Sequence, residues 1–299
     1  MTRNDFLDVY YEDRYAGTLA ETPTGKIAFS YGEDWLAGGF SLSPFSLPLR
    51  KGVFVPGRSH GDALWGVFRD SLGAVGQAGG QPAGEEGSLL DRLTTARPHG
   101  PEQPGMLTYC RAKRPGKEPF PVEGASASGE ATGNTGETEM QRDYRTVAGE
   151  CGIRTSAKPG LTVTAAALLE RDPMDTDWDY TDFMKLTKIM TDGNLQETME
   201  MYRRMCFNVF ARNEEDHAGT QAFLYDEARS KWILAPMLPT GYALLEEGHM
   251  TSVRGHRHTA GMDDLLSVGM IAGLPRRLAE DIADEVRDKT SFLVARWRG

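Results

Sequence analysis

The sequence predicts an α+β protein with a β-rich N-terminal part and a mainly helical C-terminal part. Residues 5–72 contain short aromatic and β-branched runs separated by turn signals, a pattern typical of strands. Residues 73–136 hold 13 of the 34 glycines and 7 of the 16 prolines, a composition that favours a break between two folded units. The remainder of the chain places apolar side chains at helical spacing over long stretches.

These patterns set the expected domain boundaries. Residues 1–95 form a β-rich domain, 96–140 a Gly/Pro-rich segment and 141–299 a helical lobe. The stretch GASASGEATGNTG (Gly124–Gly136) offers nothing apolar to bury, so we expect a flexible loop there.

Charge and composition exclude several classes of protein. The formal net charge of −10 argues against broad nonspecific binding of nucleic acid by the chain itself. No run of about 18 apolar residues occurs, so a transmembrane helix is not expected. The N-terminal residues lack the apolar core of a signal peptide, and Cys110, Cys151 and Cys206 have neither a disulfide pattern nor metal-ligand spacing. We therefore expect a cytoplasmic protein with no membrane partner.

In the N-terminal part, the sequence predicts a hairpin, a further strand and a helix. Two aromatic runs in LDVYYEDRYAGTL flank the turn signal Glu12-Asp13, and KIAFSY alternates like a strand. The segment 62–72 has apolar residues at helical spacing. Further along, SLLDRL and GMLTYC are short islands that favour a helix and a strand.

In the C-terminal part, a long helix is predicted to begin after Asn194, an N-cap residue with Glu197 three positions later. We expect one apolar stripe to face the core. Its predicted members are Leu195, Met199, Tyr202, Cys206 and Val209. The C-terminal residues predict two helices that are broken at Gly273-Leu274-Pro275.

The most unusual local pattern is a run of polar residues between two apolar segments. Asn213-Glu214-Glu215-Asp216-His217 follows the predicted long helix and precedes AFLYDEARSKWILAP, which favours a strand, a turn and a second strand. Protein-kinase-like folds build their catalytic and metal-binding loops in this order. The polar run is therefore a candidate catalytic loop.

Eight short segments occur in the order in which one known family carries them. They are VYYEDRYAGTL, FSYGEDWL, SLSPFSLPL and LWGVFRDSL in the N-terminal part, then YRRMCFNVFARNEEDHAG, FLYDEARSKWILAP, MTSVRG and MDDLLSVGMIAGL. On these segments the chain resembles the HipA-like serine/threonine kinases, the toxin components of bacterial type II toxin–antitoxin modules. The resemblance implies a two-lobed, protein-kinase-like fold.

The resemblance also implies an activity and partners. The expected activity is ATP- and Mg²⁺-dependent phosphorylation of serine or threonine on a protein linked to translation, such as an aminoacyl-tRNA synthetase. The expected partner is a helix-turn-helix antitoxin, through which the chain would reach DNA indirectly.

The family's catalytic loop typically reads Asn-x-Asp-Asp-His-x-Lys/Arg-Asn, followed by Phe-Leu. Aligned on Asn213 and Phe223, the present loop places Glu215 at the catalytic aspartate and keeps Asp216 and His217. The resemblance implies that Glu215 orients the attacking hydroxyl while Asp216 and His217 shape the loop. A glutamate is one methylene longer than an aspartate, and misplacement by about an ångström costs on the order of a hundredfold in rate.

The metal-binding and nucleotide-binding positions depart from the family pattern. Asn213 and Thr220 are the implied neighbours of the nucleotide, and Thr220 replaces the metal-binding asparagine. Gly219 replaces the basic residue, and Pro239 stands where the family has its second metal-binding aspartate. Asp226 is a candidate substitute ligand. No lysine occurs between residues 117 and 158, where the family's nucleotide-binding lysine is expected.

These departures leave other interpretations open. The chain can be a pseudokinase or binding module that keeps the antitoxin-binding surface without catalysis. It can also be a truncated, decayed or artificially recombined member of the family.

Three further groups of residues are better explained by ordinary structural roles than by catalysis or ligand binding. His249, His256 and His258 resemble a metal tract but lack an obvious fourth ligand, so we expect a solvated loop. Cys206 lies near His217 but on the apolar stripe of its helix, which predicts a buried and unreactive thiol. Solvated or capping charges are expected at Arg203, Arg204, Arg276 and Arg277.

Overall fold

The structure, a computed structural model, confirms the α+β class. It describes residues 6–57, 63–72, 88–95, 107–111, 137–158, 160–237 and 239–298. The flexible loop predicted at Gly124–Gly136 lies outside these residues. In the part that is described, no helix is both long enough and apolar enough to cross a membrane.

A five-stranded antiparallel sheet forms the N-terminal lobe. Its strands are β1 (Phe6–Tyr11), β2 (Arg14–Glu21), β3 (Ile27–Tyr31), β4 (Val53–Phe54) and β5 (Leu107–Arg111), in the order β4-β3-β2-β1-β5. Helices α1 (Glu33–Gly38), α2 (Gly66–Asp70) and α3 (Leu89–Thr95) accompany it.

Most of the predicted N-terminal elements are confirmed. Tyr11 pairs with Arg14 across the hairpin turn, and Glu12 adopts the left-handed conformation (φ 52°) that a tight turn requires. The helix expected over 62–72 is shorter, since α2 begins only after the extended residue Trp65. The strand island in GMLTYC is β5, which pairs with β1, so the N-terminal sheet draws a strand from segment 96–140.

The C-terminal lobe packs helices against a small sheet. The helices are α4 (Glu139–Glu150), α5 (Ala165–Leu168), α6 (Tyr180–Met190), α7 (Leu195–Ala211), α8 (Met262–Ile271) and α9 (Arg276–Trp297). The antiparallel sheet has the order β6 (Thr162–Thr164), β7 (Ala222–Asp226), β8 (Lys231–Leu234). The predicted succession of helix, polar loop and hairpin is therefore confirmed.

The long helix α7 begins as predicted and buries more of its surface than the predicted apolar stripe. The Asn194 side chain caps it by accepting the N–H of Gln196 at 2.9 Å. Leu195, a predicted member of the apolar stripe, is 51% exposed, whereas Glu200 and Arg204 are buried. Tyr202 and Cys206 are fully buried and Met199 and Val209 pack against the core, so the predicted stripe faces the core from its second member onward, and the helix buries charged residues beside it.

The break between α8 and α9 has the predicted cause. Gly273 adopts φ 88°, a conformation that favours glycine, and Leu274 donates its N–H back to the Gly269 carbonyl. Pro275 then precedes the first turn of α9, where a proline needs no hydrogen-bond partner.

The two lobes share one continuous hydrophobic core. Phe40 of the N-terminal lobe stacks on Tyr225 of β7, with ring centroids 3.8 Å apart. Beside this stack, Arg14 forms an ion pair with Glu227 at 2.8 Å. The sheet of the first lobe is thus docked on the β7–β8 hairpin, the hairpin that follows the polar loop.

Candidate functional site

The polar loop begins where α7 ends. Arg212 takes the left-handed conformation (φ 57°) at the C-terminus of the helix, which turns the chain sharply toward β7. The N–H of Asn213 still donates to the Asn208 carbonyl at 3.0 Å. The backbone conformation and this hydrogen bond therefore fix the direction in which the loop leaves the buried helix.

Asn213 joins the polar loop to the segment that follows β8. Its Oδ1 accepts the N–H of Thr240 at 3.2 Å, the Thr240 hydroxyl at 2.7 Å and the N–H of Gly241 at 3.1 Å. Its Nδ2 donates to Asn208 Oδ1 at 2.8 Å. The residue is buried, and both polar atoms of its side-chain amide form hydrogen bonds with other residues of the protein.

Asp216 is fully buried and holds the loop from inside. Its Oδ2 accepts the Tyr180 hydroxyl at 2.8 Å and lies 3.0 Å from His249 Nδ1. Its Oδ1 accepts the N–H of Thr251 at 3.1 Å. Asn208 Nδ2 in turn donates to the Tyr180 hydroxyl at 2.7 Å, so one polar network connects Asp216 with Asn213. Burial, followed by the charge of Asp216, raises the pKa of Tyr180 well above its usual value.

Glu214 adds a second buried carboxylate to this network of buried polar groups, which together form the framework of the loop. It accepts the N–H of Leu245 at 2.7 Å and pairs with Arg212 at 2.9 Å. These contacts draw the 243–250 segment alongside the loop, where the Met250 N–H also donates to the Glu214 carbonyl.

His217 and Thr220 form a tight turn of their own. His217 Nδ1 accepts the N–H of Gly219 at 3.1 Å, and the His217 carbonyl accepts the Thr220 hydroxyl at 2.8 Å. Burial lowers the pKa of His217, although the charges of Asp216 and Glu215 oppose this. A neutral imidazole fits, because Nδ1 is an acceptor here.

Glu215 differs from its neighbours in the loop. It is half-buried, and within the described residues its carboxylate makes no hydrogen bond and no ion pair. Asp216 and His217 are committed to the framework, whereas Glu215 has a carboxylate that can still act on a ligand. The structure thus brings the three predicted residues together but gives them different roles.

The strand β8 is held in place by a buried group of charges. Arg154 pairs with Glu197 at 2.9 Å and with Glu200 at 3.2 Å, and it also donates to the Leu234 carbonyl. Glu197 accepts the N–H of Leu234 at 2.8 Å. The end of β8 is therefore bound by one arginine and one glutamate at once.

Arg204 extends the same group into the core. It is completely buried, pairs with Glu200 at 2.5 Å and donates to the Ala235 carbonyl. Desolvation lowers its pKa, although Glu200 opposes this. The expectation of a solvated or capping charge at Arg204 is wrong, because the group also needs Arg154, which lies more than 40 residues before α7 in the sequence and which local spacing on the helix does not reveal. Arg203, in contrast, pairs with the partly exposed Glu285.

The second loop, described over residues 234–237 and 239–241, carries Pro239, which the alignment places at the family's metal-binding aspartate. Pro239 is buried, and the two residues after it donate their N–H groups to Asn213. A proline side chain has no atom that can bind a cation.

Asp226 does not lie near this loop. It is at the far end of β7 from Thr220, about 13 Å along the strand from Ala222, and it pairs with Arg229 at the hairpin turn. The structure does not bring Asp226 together with Glu215 and Thr220.

We tested whether the residues present fit a nucleotide-bound Mg²⁺. This ion is usually held by one or two carboxylates together with phosphate oxygens. The two loops offer the Glu215 carboxylate and the Thr220 hydroxyl, which already donates to the His217 carbonyl. Among the residues that the structure describes, no group of three or more His, Cys, Asp or Glu could hold a metal ion. Because Glu215 stands at the position of the proton-orienting carboxylate, the described residues of the two loops leave no uncommitted carboxylate for the ion, and this donor set does not fit the Mg²⁺ that the family is expected to use.

Two other expectations can be compared with the structure. His256 and His258 are exposed, as expected for a solvated loop, but His249 is buried against Asp216 and belongs to the loop framework. The sequence did not predict this contact, because 33 residues separate His249 from Asp216. Cys206 is buried, and burial raises the pKa of its thiol to about 12, so the prediction of an unreactive thiol agrees with its environment.

Comparisons with known proteins agree with this architecture. The profile of the HipA N-terminal domain matches residues 7–74, and the profile of the HipA-like C-terminal domain matches residues 160–293. A search of curated proteins finds no match.

Among solved structures, the chain is similar to one from the Shewanella oneidensis MR-1 toxin–antitoxin complex of HipA, HipB and its operator DNA. The TM-score is 0.65 at 12% sequence identity, and the match covers 97% of this chain and 90% of that chain. At this identity the likeness shows the fold. With both family domains present in order on a two-lobed, kinase-like fold, the chain is a member of the HipA-like toxin family of toxin–antitoxin systems.

Proposed function

We propose that this chain binds a helix-turn-helix antitoxin and no longer transfers phosphate, as a pseudokinase of the HipA-like family. One observation carries the proposal. Pro239 replaces the metal-binding aspartate, and the backbone after it is bonded to Asn213. Phosphoryl transfer depends on charge neutralisation by bound metal, so the loss of this ligand removes a central part of the chemistry.

The proposal of an antitoxin partner is supported by what the chain retains. Both family domains are present, and the similar solved protein, HipA, was determined together with HipB and operator DNA. With a net charge of −10, the chain is expected to reach DNA only through such a partner.

A second candidate function is the family's kinase activity on a serine or threonine of a protein substrate, such as an aminoacyl-tRNA synthetase. The uncommitted carboxylate of Glu215 favours it, since a proton-orienting carboxylate must be available to the substrate hydroxyl. This function requires metal ligands that the described loops do not offer.

The two candidates are separated by one experiment with two readouts. The wild-type chain and Glu215→Gln are incubated with radiolabelled ATP, Mg²⁺ and a panel of purified aminoacyl-tRNA synthetases. Their binding to a purified helix-turn-helix antitoxin of the HipB type is measured by calorimetry. We expect no labelled protein from either variant and equal antitoxin affinity for both. Labelling by the wild type that Glu215→Gln abolishes would establish the kinase instead, and failure to bind the antitoxin would reject the proposed partner.

A further inference from the structure

The backbones of the two lobes meet where α2 lies against β6 and α5. A Cβ atom added to Gly66 would lie 2.3 Å from the Ala167 carbonyl oxygen, so the two backbones are in direct contact. The N–H of Gly66 donates to Glu170 at 2.8 Å, and Arg69 donates to the Arg171 carbonyl at 3.0 Å. A glycine is required at this crossing, because any side chain would separate the lobes.

Asp70 is the buried polar centre of this crossing. It is only 5% exposed, and its carboxyl accepts the N–H of Thr164 at 2.9 Å and the Thr164 hydroxyl at 3.2 Å. Thr164 is itself the N-cap of α5, since its hydroxyl accepts the N–H of Ala167 at 3.1 Å. One carboxyl thus connects the last residue of α2 with the first turn of α5, across 94 residues of sequence.

The surroundings of Asp70 leave an ionised carboxylate poorly neutralised. Burial raises its pKa to about 7, the Thr164 hydrogen bonds and Arg69 oppose the increase, and Glu170 adds to it. From β5, Tyr109 faces the same site as a neutral phenol that donates to Ser71. A protonated carboxyl can keep both contacts, because one oxygen accepts the Thr164 N–H while the other donates to the hydroxyl.

We propose that Asp70 is a proton-sensitive latch between the lobes, which docks them firmly when its carboxyl is protonated and loosens when it ionises. The geometry gives Asp70 two hydrogen bonds to one residue of the C-terminal lobe, Thr164, and leaves no room for water where the backbones of Gly66 and Ala167 meet.

The direction of the pH effect follows from linkage. In the docked protein the carboxyl keeps its proton up to about pH 7, whereas a solvated aspartate loses it near pH 4. Docking is therefore fully favoured below about pH 4 and weakens as the pH rises toward about 7. Each pH unit in this window favours the undocked state by up to about tenfold, and the effect levels off above it.

The test is hydrogen exchange of the full chain between about pH 5 and 8, expressed as protection factors so that the ordinary pH dependence of exchange is removed. The amides of 66–70 and 162–168 are compared with those of α9 as an internal reference. In the wild type we expect the protection ratio to fall by up to about tenfold per unit up to pH 7. Asp70→Asn, a neutral isostere, should remove the slope, whereas Asp13→Asn, at the exposed hairpin turn, should leave it unchanged.

A wild-type ratio that is flat across this range would overturn the proposal, as would the same slope in Asp70→Asn. Should Asp70→Asn fail to fold, carbon-detected titration of the Asp70 carboxyl in the wild type decides. A midpoint near 7 supports the latch, and a midpoint near the ordinary value of about 4 rejects it.

Discussion

Buried polar contacts fix both loops of the candidate site, but the loops differ in what they offer a ligand. The first loop, residues 212–221, is fixed by the buried network around Asp216 and presents the carboxylate of Glu215, which has no hydrogen bond or ion pair among the described residues. The second loop, of which residues 234–237 and 239–241 are described, is fixed by Arg154 and Glu197 at its start and presents Pro239. The residues that fix the shape of these loops are distinct from those that would perform chemistry.

This difference explains how a kinase-like architecture can persist without the activity. Removing one member of a buried polar network strands its partners without water, at a cost of about 1–3 kcal/mol for each group. Changing a partly exposed side chain such as Glu215 or Thr220 carries no such cost. The need for a stable fold is therefore enough to keep the buried framework residues. The residues that would bind a ligand are kept only if the protein needs their function.

The framework of the second loop predicts the largest effect. Arg204→Met should lower the free energy of unfolding by about 3–5 kcal/mol, because it leaves Glu200 buried with less compensation. Arg277→Met, at an exposed position of α9, is the control and should change stability by less than about 0.5 kcal/mol. Chemical denaturation measures both, and equal effects would show that the charge group does not hold this loop.

Within the first loop, two isosteric changes separate framework from chemistry. Asp216→Asn should cost about 2–4 kcal/mol, because its amide cannot accept from Tyr180, Thr251 and His249 together. Glu215→Gln should cost less than about 0.5 kcal/mol. The distinction between the two residues fails if denaturation midpoints show the same loss for both.

Restoring the missing ligand types in the two loops should restore metal-dependent binding of ATP. Pro239→Asp combined with Thr220→Asn restores the family's two ligand types, so Mg²⁺-dependent affinity for ATP should rise by at least about tenfold. Pro239→Ala combined with Thr220→Asn removes the proline without adding a carboxylate and is the matched control. If calorimetry shows no gain in the first variant, the defect lies elsewhere, most directly at the lysine that the sequence lacks between residues 117 and 158.

The smallest expected effect concerns pH. The pKa of His217 is lowered in the folded chain by burial, so the unfolded chain takes up a proton first as the pH falls. Stability should therefore decrease below about pH 6.5, by at most about 1.4 kcal/mol per unit. His217→Asn keeps an acceptor for the Gly219 N–H and should flatten this slope relative to the wild type, as measured by denaturation at several pH values. An unchanged slope would show that His217 is not the group responsible.

Much of the fold could be predicted from local patterns. The turn at Glu12-Asp13, the cap at Asn194 and the break at Gly273 each depend on residues within one turn of one another, and all three are confirmed. The order of helix, polar loop and hairpin was predictable for the same reason, since each element carries its own periodicity.

The parts that could not be predicted depend on contacts between distant residues. Arg204 and Glu200 resemble a solvated helical pair in sequence, and only the packing of Arg154 and Ala235 against them explains their burial. His249 looked like part of an exposed histidine tract, whereas it lies against Asp216. One feature of the sequence could have indicated the buried polar network. Asn208, an amide within an otherwise apolar stretch of α7, lies five residues before Asn213 and is hydrogen-bonded to it.

The most direct test of the central claim is a calorimetric titration of the wild-type chain with ATP, in the presence and in the absence of Mg²⁺. We predict no Mg²⁺-dependent binding at ATP concentrations up to about 1 mM, in a preparation that binds the antitoxin of the proposed function. Saturable Mg²⁺-dependent binding that Thr220→Val abolishes would contradict the account, because it would show that the two loops still assemble a metal site.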